Sequence, residues 1–253
     1  MINLSLIGIG TGNPSHVTLE AVRVMNAADL ILIPLKGEEK AELAALRHQI
    51  CRSFVTNPAT RIEGFDLPQR DPATPDYLTR VSDWHDSIAA VWLESIERHL
   101  DRGGGPNVAF LVWGDPSLYD STLRIAERLA RHLPLQLRVI PGITAIQMLC
   151  AAHAIPLNDL AAPVTITTGR RLRGGGWPAD AGTVVVMLDS GGAFGAVDPA
   201  GVRIWWGAYL GMEGQILMSG ALQEVAEQIL TARRAARERH GWIMDIYLMR
   251  RSG

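Results

Sequence analysis

Residues 3–34 read NLSLIGIGTGNPSHVTLEAVRVMNAADLILIP and predict a strand, a glycine-rich loop, a helix and a second strand. The apolar run over residues 4–9 is too short to span a membrane and is typical of a buried strand. Apolar residues then recur at helical spacing over Thr18–Met25, and a second apolar run follows Asp29. Since parallel strands need a crossover connection, this stretch predicts a βαβ unit that starts a parallel sheet.

The glycine loop between these elements does not have the spacing of a dinucleotide-binding loop. Gly8, Gly10 and Gly12 form G-x-G-x-G rather than G-x-G-x-x-G, and Pro14 stands where a helix N-terminus would hold a pyrophosphate. No acidic residue follows the second strand at Pro34–Lys36 to bind a ribose. The loop therefore indicates either a site for a different ligand or a turn that binds nothing.

Composition argues against several classes of protein. The 253 residues are 47% hydrophobic and 20% charged, and the net charge of -2 gives no reason to expect a nucleic-acid partner. Cys51 and Cys150 form no C-x-x-C motif and the seven histidines have no metal-ligand spacing, so we predict neither a disulfide framework nor a metal site. No signal peptide and no apolar run of membrane-spanning length is present, so we expect a cytoplasmic protein without a membrane partner.

Strand and helix patterns alternate along the first part of the chain and become less regular after residue 157. We predict an α/β fold with two domains, an open, mostly parallel sheet with flanking helices at 1–157 and a smaller mixed sheet at 158–253. The further strands predicted in the first domain are Arg61–Leu67, Asn107–Trp113 and Leu137–Ile140. The predicted helices are Glu38–Phe54, Tyr77–Leu100, a helix that ends at Leu129, and Ile143–Ala152. Those predicted in the second are strands at Val164–Thr168, Thr183–Leu188, Val202–Ala208 and Trp242–Met249, a helix at Leu222–Arg239 and a loop at Gly169–Gly182.

Three loops rich in glycine or proline follow predicted strands of the first domain, at Gly8–Pro14, Gly114–Tyr119 and Pro141–Thr144. Ligands of open parallel sheets bind beyond the carboxyl ends of the strands, so the three loops together predict one ligand site at that edge. In the second loop Asp115 adds a carboxylate suited to hydroxyl or ammonium groups, although the same residues alone are also typical of an ordinary turn.

Three arginines crowd the loop predicted at Gly169–Gly182, namely Arg170, Arg171 and Arg173. Guanidinium groups bind carboxylates with a planar fork of donors, so these residues are candidates for a carboxylate clamp. A solvated loop is an equally good interpretation of the same residues.

Taken together, the stretches at 7–34, 108–122 (VAFLVWGDPSLYDST) and 139–157 (VIPGITAIQMLCAAHAIPL) resemble the tetrapyrrole (uroporphyrin-III/corrin) methylase family. With the strands of the second domain, the resemblance covers nearly the whole chain. It implies two α/β domains with S-adenosylmethionine (SAM) in the cleft between them and a tetrapyrrole above it. It also implies S-adenosylhomocysteine (SAH) as the product of the methyl donor, and a homodimer, the common state of the family.

Carried over by position, the resemblance implies roles for individual residues. The implied SAM-binding residues are Gly114, Asp115, Leu118, Tyr119, Thr144, Ala145, Leu188, Ala208, Tyr209, Ile243 and Met244. The implied substrate-binding residues are Gly10, Thr11, Gly12 and Asn13 of the first loop together with Arg170, Arg171 and Arg173. The catalytic candidates are Asp115, Tyr119 and Thr11, with Glu213 as a further candidate for polarising water. Two positions depart from the family pattern, since Thr11 replaces a usual proline and Asp189 a usual glycine.

Within the family, three stretches are most similar to one group of enzymes of the aerobic cobalamin (vitamin B12) pathway: the insertion at Pro68–Leu100, the stretch at 204–215 and the ending at 241–250. The resemblance implies the reaction of those enzymes, which methylate ring carbon C1 of precorrin-5 and release its acetyl group as acetate, giving precorrin-6A. Water adds to the acetyl carbonyl, the carbon–carbon bond breaks, and the electron-rich ring carbon takes the methyl group. Three alternatives stay open: a precorrin methyltransferase without deacetylation, the branch that modifies RNA or protein, and a non-catalytic SAM- or corrinoid-binding protein.

Overall fold

Strand β1 (Ile2–Gly8) lies inside a five-stranded parallel sheet in a computed structural model that describes residues 1–35 and 41–251. Its neighbours are β4 and β5, and β2 and β3 complete the order β3-β2-β4-β1-β5. These strands are β2 (Leu30–Leu35), β3 (Arg61–Asp66), β4 (Asn107–Val112) and β5 (Leu135–Ile140). The βαβ unit is confirmed, and its two strands lie on either side of β4 rather than next to each other.

Four helices flank this sheet: α1 (Leu19–Ala27), α2 (Ala41–Phe54), α3 (Tyr77–Asp101) and α4 (Thr122–Leu129). A single 3-10 turn at Pro14–His16 precedes α1, and the Thr18 hydroxyl caps α1 by accepting a hydrogen bond from Ala21 N at 3.1 Å. The helix predicted from Glu38 is observed from Ala41, and 38–40 lie outside the described residues.

Each face of the sheet carries its own apolar cluster because side chains alternate along every strand. On one face Leu4 and Phe110 pack against α3, whose Trp92 ring stacks on Phe110 with the centroids 3.8 Å apart. On the other face Ile7 and Ile31 pack against α1 and α2. Burial on both faces explains why the inner strands β2 and β4 are nearly continuous apolar runs, whereas the edge strands β3 and β5 are more exposed and contain charged residues.

Residues 1–143 form one unit and 144–253 a second, which has its own five-stranded sheet of order β6-β7-β10-β8-β9. Only β6 and β7 are parallel in it. Its strands are β6 (Val164–Thr168), β7 (Thr183–Met187), β8 (Val202–Ala208), β9 (Ile216–Ala221) and β10 (Asp245–Arg251), and its helices are α5 (Ala145–His153), α6 (Gly169–Gly175) and α7 (Leu222–His240). Helix α5 contacts β8 and β10, whereas the sequence pattern assigned it to the first domain.

Three elements of the second unit differ from the sequence prediction. The loop predicted at Gly169–Gly182 begins with helix α6, because the Thr168 hydroxyl caps it and Gly176 ends it with a φ of +68°. Strand β9 was missed because it is an edge strand whose sequence, ILMSGA, includes serine and glycine. Strand β10 begins at Asp245 rather than at Trp242.

The paired tryptophans of β8 have different environments. Trp206 is fully buried and belongs to the core, whereas Trp205 is half-buried under the guanidinium groups of Arg203 and Arg250, at 5.5 and 5.3 Å from its ring centroid. Among the described residues, no helix combines the length and apolar character needed to cross a membrane.

Candidate functional site

The three loops that the sequence predicted to meet are joined at the carboxyl ends of β1, β4 and β5. Gly114 N donates to Gly10 O at 2.8 Å and Gly10 N donates to Gly114 O at 3.3 Å. A Cβ at Gly8 would lie 2.6 Å from Gly142 N, and a Cβ at Gly142 would lie 2.1 Å from Gly114 O. The backbones approach more closely than any side chain allows, which explains why glycine occupies these positions.

Asp115 fixes two of these loops to each other. Its Oδ1 accepts hydrogen bonds from Ser117 N at 2.8 Å and from the Ser117 hydroxyl, and its Oδ2 accepts from Gly142 N at 2.9 Å. Partial burial raises the pKa of Asp115, but the hydrogen bonds from Ser117 and Gly142 outweigh it and hold the pKa below its usual value. The carboxylate is therefore charged at neutral pH, and it retains lone pairs for a ligand donor.

The rest of the loop after β4 presents open backbone. Gly114 has a φ of +65° and no heavy atom lies within 4 Å of the position that a Cβ would take. Leu118 is half-buried and its N donates to Asp115 O at 3.3 Å. Tyr119 is 44% exposed and has a φ of +50°, a left-handed conformation that is uncommon for a bulky residue. The loop thus has open space beside Gly114 and an exposed aromatic side chain.

The loop after β1 is more closed than the sequence suggested. Thr11 is only 5% exposed, and its hydroxyl lies 3.4 Å from His16 Nδ1. Burial lowers the pKa of His16, so its ring is neutral at neutral pH. Gly12 is buried, and the Asn13 side chain accepts a hydrogen bond from Ser15 N at 2.9 Å. The contact between Thr11 and His16 could not be predicted from the sequence, because no motif identifies it and the two side chains meet only in the folded loop.

At the start of the second unit, Thr144 and Ala145 begin helix α5. Thr144 N and Oγ1 donate to Gln147 Oε1 at 2.7 and 2.8 Å, and Gln147 N donates back to Thr144 Oγ1 at 3.5 Å. This capping box satisfies the first backbone groups of the helix. The Thr144 side chain thus stabilises α5, and Ala145 contributes the first turn.

Leu188 and Asp189 follow β7 and have opposite environments. Leu188 is 66% exposed with a φ of +52°, whereas the Asp189 side chain is 2% exposed. Asp189 Oδ2 accepts from Tyr247 Oη at 2.9 Å, and Arg233 Nη2 donates to the Asp189 backbone O at 2.6 Å. Burial and the nearby Asp189 carboxylate raise the pKa of Tyr247, which stays protonated and donates. This buried network fixes the turn that holds Leu188 exposed.

The three arginines of α6 do not all have the same environment. Arg173 donates to the buried Asp189 carboxylate, which commits its side chain to the network around β7. Arg170 and Arg171 are exposed on the helix. Arg173 is exposed as well, but of the three candidates for a carboxylate clamp it is the one that is paired with Asp189. Glu213, the further catalytic candidate, is exposed in the turn between β8 and β9.

Residues around the end of β8 complete the predicted set. Ala208 and Tyr209 are buried, and Tyr209 has a φ of +50°. Tyr209 Oη donates to Trp242 O at 2.6 Å, and Tyr209 N donates to Met244 O at 3.0 Å. Ile243 and Met244 are half-buried and precede β10 instead of lying in it. Because the Tyr209 ring is buried, a ligand contact of this residue would involve its backbone.

A family model for tetrapyrrole (corrin/porphyrin) methylases matches residues 3–226. The chain belongs to the tetrapyrrole methylase family. It is 47% identical over 253 residues to the precorrin-6A synthase [deacetylating] of Sinorhizobium sp., with 99% of this chain and 96% of that protein covered. It is 39% identical to a cobalamin-synthesis-related protein (CobF) of Corynebacterium diphtheriae, whose crystal structure superposes with a TM-score of 0.84 over 99% of both chains.

A more distant structure shows the fold alone. The uroporphyrin-III C-methyltransferase of Thermus thermophilus, crystallised with S-adenosylhomocysteine, is 19% identical and has a TM-score of 0.57 over 98% of this chain and 96% of that one. The α/β fold and the membership of the tetrapyrrole methylase family, both expected from the sequence, are thereby confirmed.

Backbone strain in this tetrapyrrole methylase is present at three of the eleven SAM-binding positions implied by the family pattern. In the described part of the chain, five residues other than glycine have a positive φ: Tyr119, Ala154, Ala161, Leu188 and Tyr209. Three of them, Tyr119, Leu188 and Tyr209, were implied as SAM-binding residues by resemblance. Strained backbone persists where the surrounding structure enforces it and is concentrated at functional sites.

Proposed function

We propose that the chain is a SAM-dependent C-methyltransferase of aerobic cobalamin biosynthesis that methylates C1 of precorrin-5 and releases acetate to give precorrin-6A. The observation that carries this proposal is the 47% identity to a deacetylating precorrin-6A synthase over nearly the full length of both chains. The junction of Gly10, Gly114 and Gly142 supports it from the structure, since the loops meet at the carboxyl ends of parallel strands, where ligands of such sheets bind. In this proposal the first unit supplies the tetrapyrrole-facing loops, and the second unit supplies residues that complete SAM binding.

The residues at the β4 loop fit SAM chemically. Open space beside Gly114 admits a ligand, and the Asp115 carboxylate has acceptor capacity for the hydroxyl or ammonium groups of SAM. We propose that the loop residues bind SAM mainly through backbone groups, joined by the exposed Leu188 side chain. The full proposed set is Gly114, Asp115, Leu118, Tyr119, Thr144, Ala145, Leu188, Ala208, Tyr209, Ile243 and Met244. SAM supplies an electrophilic methyl group when bound, and the protein's part is to orient the acceptor carbon and exclude water.

Deacetylation needs a group that polarises water or the acetyl carbonyl. Tyr119 is the more accessible candidate, with 44% of its surface exposed against 5% for Thr11. Thr11 acts in this proposal only together with His16, whose neutral ring nitrogen lies 3.4 Å from the Thr11 hydroxyl. Gly10, Gly12 and Asn13 are proposed to line the substrate side of the same loop. The exposed Arg170 and Arg171 are proposed to meet substrate carboxylates, whereas Arg173 is occupied by Asp189.

The decisive measurement is mass spectrometry of precorrin-5 incubated with SAM and the purified protein, with acetate assayed in parallel. We expect one methyl group gained and one acetate released per substrate molecule, over many turnovers of the enzyme. Methyl gain without acetate would retain the family and replace the reaction by methylation at another ring carbon. Stoichiometric binding of SAM without turnover would favour a carrier protein and contradict the proposal.

We further propose that the enzyme works in the cytoplasm as a homodimer. The proposal rests on the family to which the chain belongs. Sedimentation velocity at micromolar concentration measures the state directly, and a species at the monomer mass would contradict the dimer.

A further inference from the structure

Arg47 of helix α2 is a buried cation at the carboxyl end of the first sheet. The residue is 7% exposed, and its Nε donates to Leu111 O at 3.0 Å while its Nη1 donates to Leu43 O at 3.1 Å. Its guanidinium carbon lies 5.8 Å from the centroid of the Trp113 ring. Leu111 and Trp113 lead directly into the Gly114 loop, so Arg47 lies beside the candidate site without belonging to any of its motifs.

The position of Arg47 follows from the way the sheet opens at this edge. β2 pairs with β4 only as far as Leu32 and Phe110, whereas β1 stays paired with β4 up to Val112. Val112 O accepts from Ile9 N on the β1 side, so Leu111 O faces the side from which β2 has diverged. The Arg47 guanidinium enters this opening and satisfies the carbonyl that β2 leaves unpaired.

The charge environment of Arg47 differs from that of Arg128 and Arg233. Among residues 1–35 and 41–251 Arg47 forms no ion pair, whereas Arg128 and Arg233 each have a carboxylate oxygen at 2.7 to 2.8 Å. Burial lowers the pKa of Arg47 to about 10, although the negative charge of Asp120 acts in the opposite direction and raises it. The side chain is still charged at neutral pH, and only two of its three nitrogens have hydrogen-bond partners in the described chain.

A buried charge without a counter-charge is costly, because the desolvation of the ion is not repaid by a partner. The carbonyl of Leu111 alone does not require a guanidinium, since a neutral donor satisfies it equally well. A planar group with spare donors beside a ligand edge is instead suited to a carboxylate, which guanidinium binds in a bidentate manner.

We propose that Arg47 binds a carboxylate of the ligand, which supplies a counter-charge that the described residues do not provide. The inference rests on the proposed function, which offers two sources of this group: a side-chain carboxylate of the tetrapyrrole and the amino-acid carboxylate of SAM. Both present the same chemistry to Arg47, and the experiment separates them.

The test compares wild type with Arg47→Met and Arg47→Lys. Methionine keeps the length and apolar packing of the side chain without the charge, and lysine keeps the charge without the fork. For each protein we would measure KM and kcat for precorrin-5, Kd for SAH by calorimetry, and the urea unfolding midpoint. We expect Arg47→Met to raise either the KM for precorrin-5 or the Kd for SAH about tenfold or more, with Arg47→Lys in between and the unfolding midpoint close to wild type.

Each outcome has one meaning. A rise in KM alone assigns the tetrapyrrole carboxylate, and a rise in the Kd for SAH alone assigns the carboxylate of SAM. Unchanged KM and Kd in a folded Arg47→Met protein would overturn the inference, and a fall in stability without a change in affinity would make Arg47 a structural donor to Leu111. Arg128→Gln is the matched control, because Arg128 is a half-buried arginine on the opposite face of the sheet that is already paired with Asp86, and we expect no change in either affinity.

The wild-type protein separates this inference from the function on which it rests. If wild type transfers no methyl group to precorrin-5, the proposed reaction fails before any variant is compared. The SAH titration then still tests whether Arg47 binds the carboxylate of SAM, and unchanged affinity for SAH in Arg47→Met would overturn that assignment.

Discussion

Replacing Asp115 by asparagine is expected to lower the rate of methyl transfer at least about a hundredfold. Asp115 Oδ2 accepts the hydrogen bond from Gly142 N at 2.9 Å, and Oδ1 accepts two from Ser117. An asparagine amide can replace only one of these acceptors, so an N–H group would face either Gly142 N or the Ser117 donors. Hydrogen bonds to a charged acceptor contribute roughly 1.5–3 kcal/mol each, and every ~1.4 kcal/mol of lost transition-state stabilisation is tenfold in rate.

The measurement is the initial rate of methyl transfer to precorrin-5, together with the Kd for SAH. The control is Asp71→Asn, since Asp71 makes a similar turn contact with Ala73 N at 2.9 Å in an exposed loop before α3, and its rate is expected to be unchanged. An Asp115→Asn protein with wild-type rate and affinity would remove Asp115 from the proposed SAM site.

The pH dependence provides a second check on the same carboxylate. Because the pKa of Asp115 lies below its usual value, the stabilisation that its charged carboxylate provides is fully present above the usual pKa of a carboxyl group. This stabilisation is lost as the pH falls through the lowered pKa. SAH affinity of the wild type is therefore expected to show no titration by Asp115 between pH 5 and 7, and a loss of affinity in that window must arise elsewhere, for example from His16.

The first sheet could be predicted from sequence because every element is locally consistent. The strands β1 (Ile2–Gly8) and β2 (Leu30–Leu35) are mostly apolar, and Thr18 marks the start of α1 with a cap, so pattern and tertiary structure agree. The meeting of the loops at Gly114 and Gly142 was also predictable, because parallel strands bring their carboxyl ends to one edge.

The second unit was less predictable for physical reasons. Helix α6 contains GRRLRGG, whose glycines disfavour a helix, and it forms because Thr168 caps it and Leu172 is buried. The network of Asp189, Arg233 and Tyr247 joins residues far apart in the chain, and no local pattern identifies such partners. Arg47 was missed for the same reason, since an arginine in an amphipathic helix ordinarily indicates a solvated face.

Replacing Gly142 by alanine is expected to destabilise the protein by about 2–3 kcal/mol and to lower methyl transfer with it. The new Cβ would lie 2.1 Å from Gly114 O and 2.8 Å from Gly8 Cα, and both contacts are to backbone that cannot rotate away. The loops must separate, which also lengthens the hydrogen bond from Gly142 N to Asp115. We expect thermal denaturation to begin roughly 5–10 °C lower than in wild type.

Gly174→Ala is the control for this substitution. Gly174 lies in α6 with no heavy atom within 4 Å of the position of a Cβ, so alanine there is expected to leave stability unchanged or to raise it by up to about 1 kcal/mol. A Gly142→Ala protein as stable and active as wild type would contradict the close approach of the three loops. Because Gly142 and Asp115 act through one hydrogen bond, the double variant Gly142→Ala/Asp115→Asn should lose less activity than the two single losses combined. Full additivity would mean that the two residues affect methyl transfer independently, and that the junction of the loops is not the unit that binds SAM.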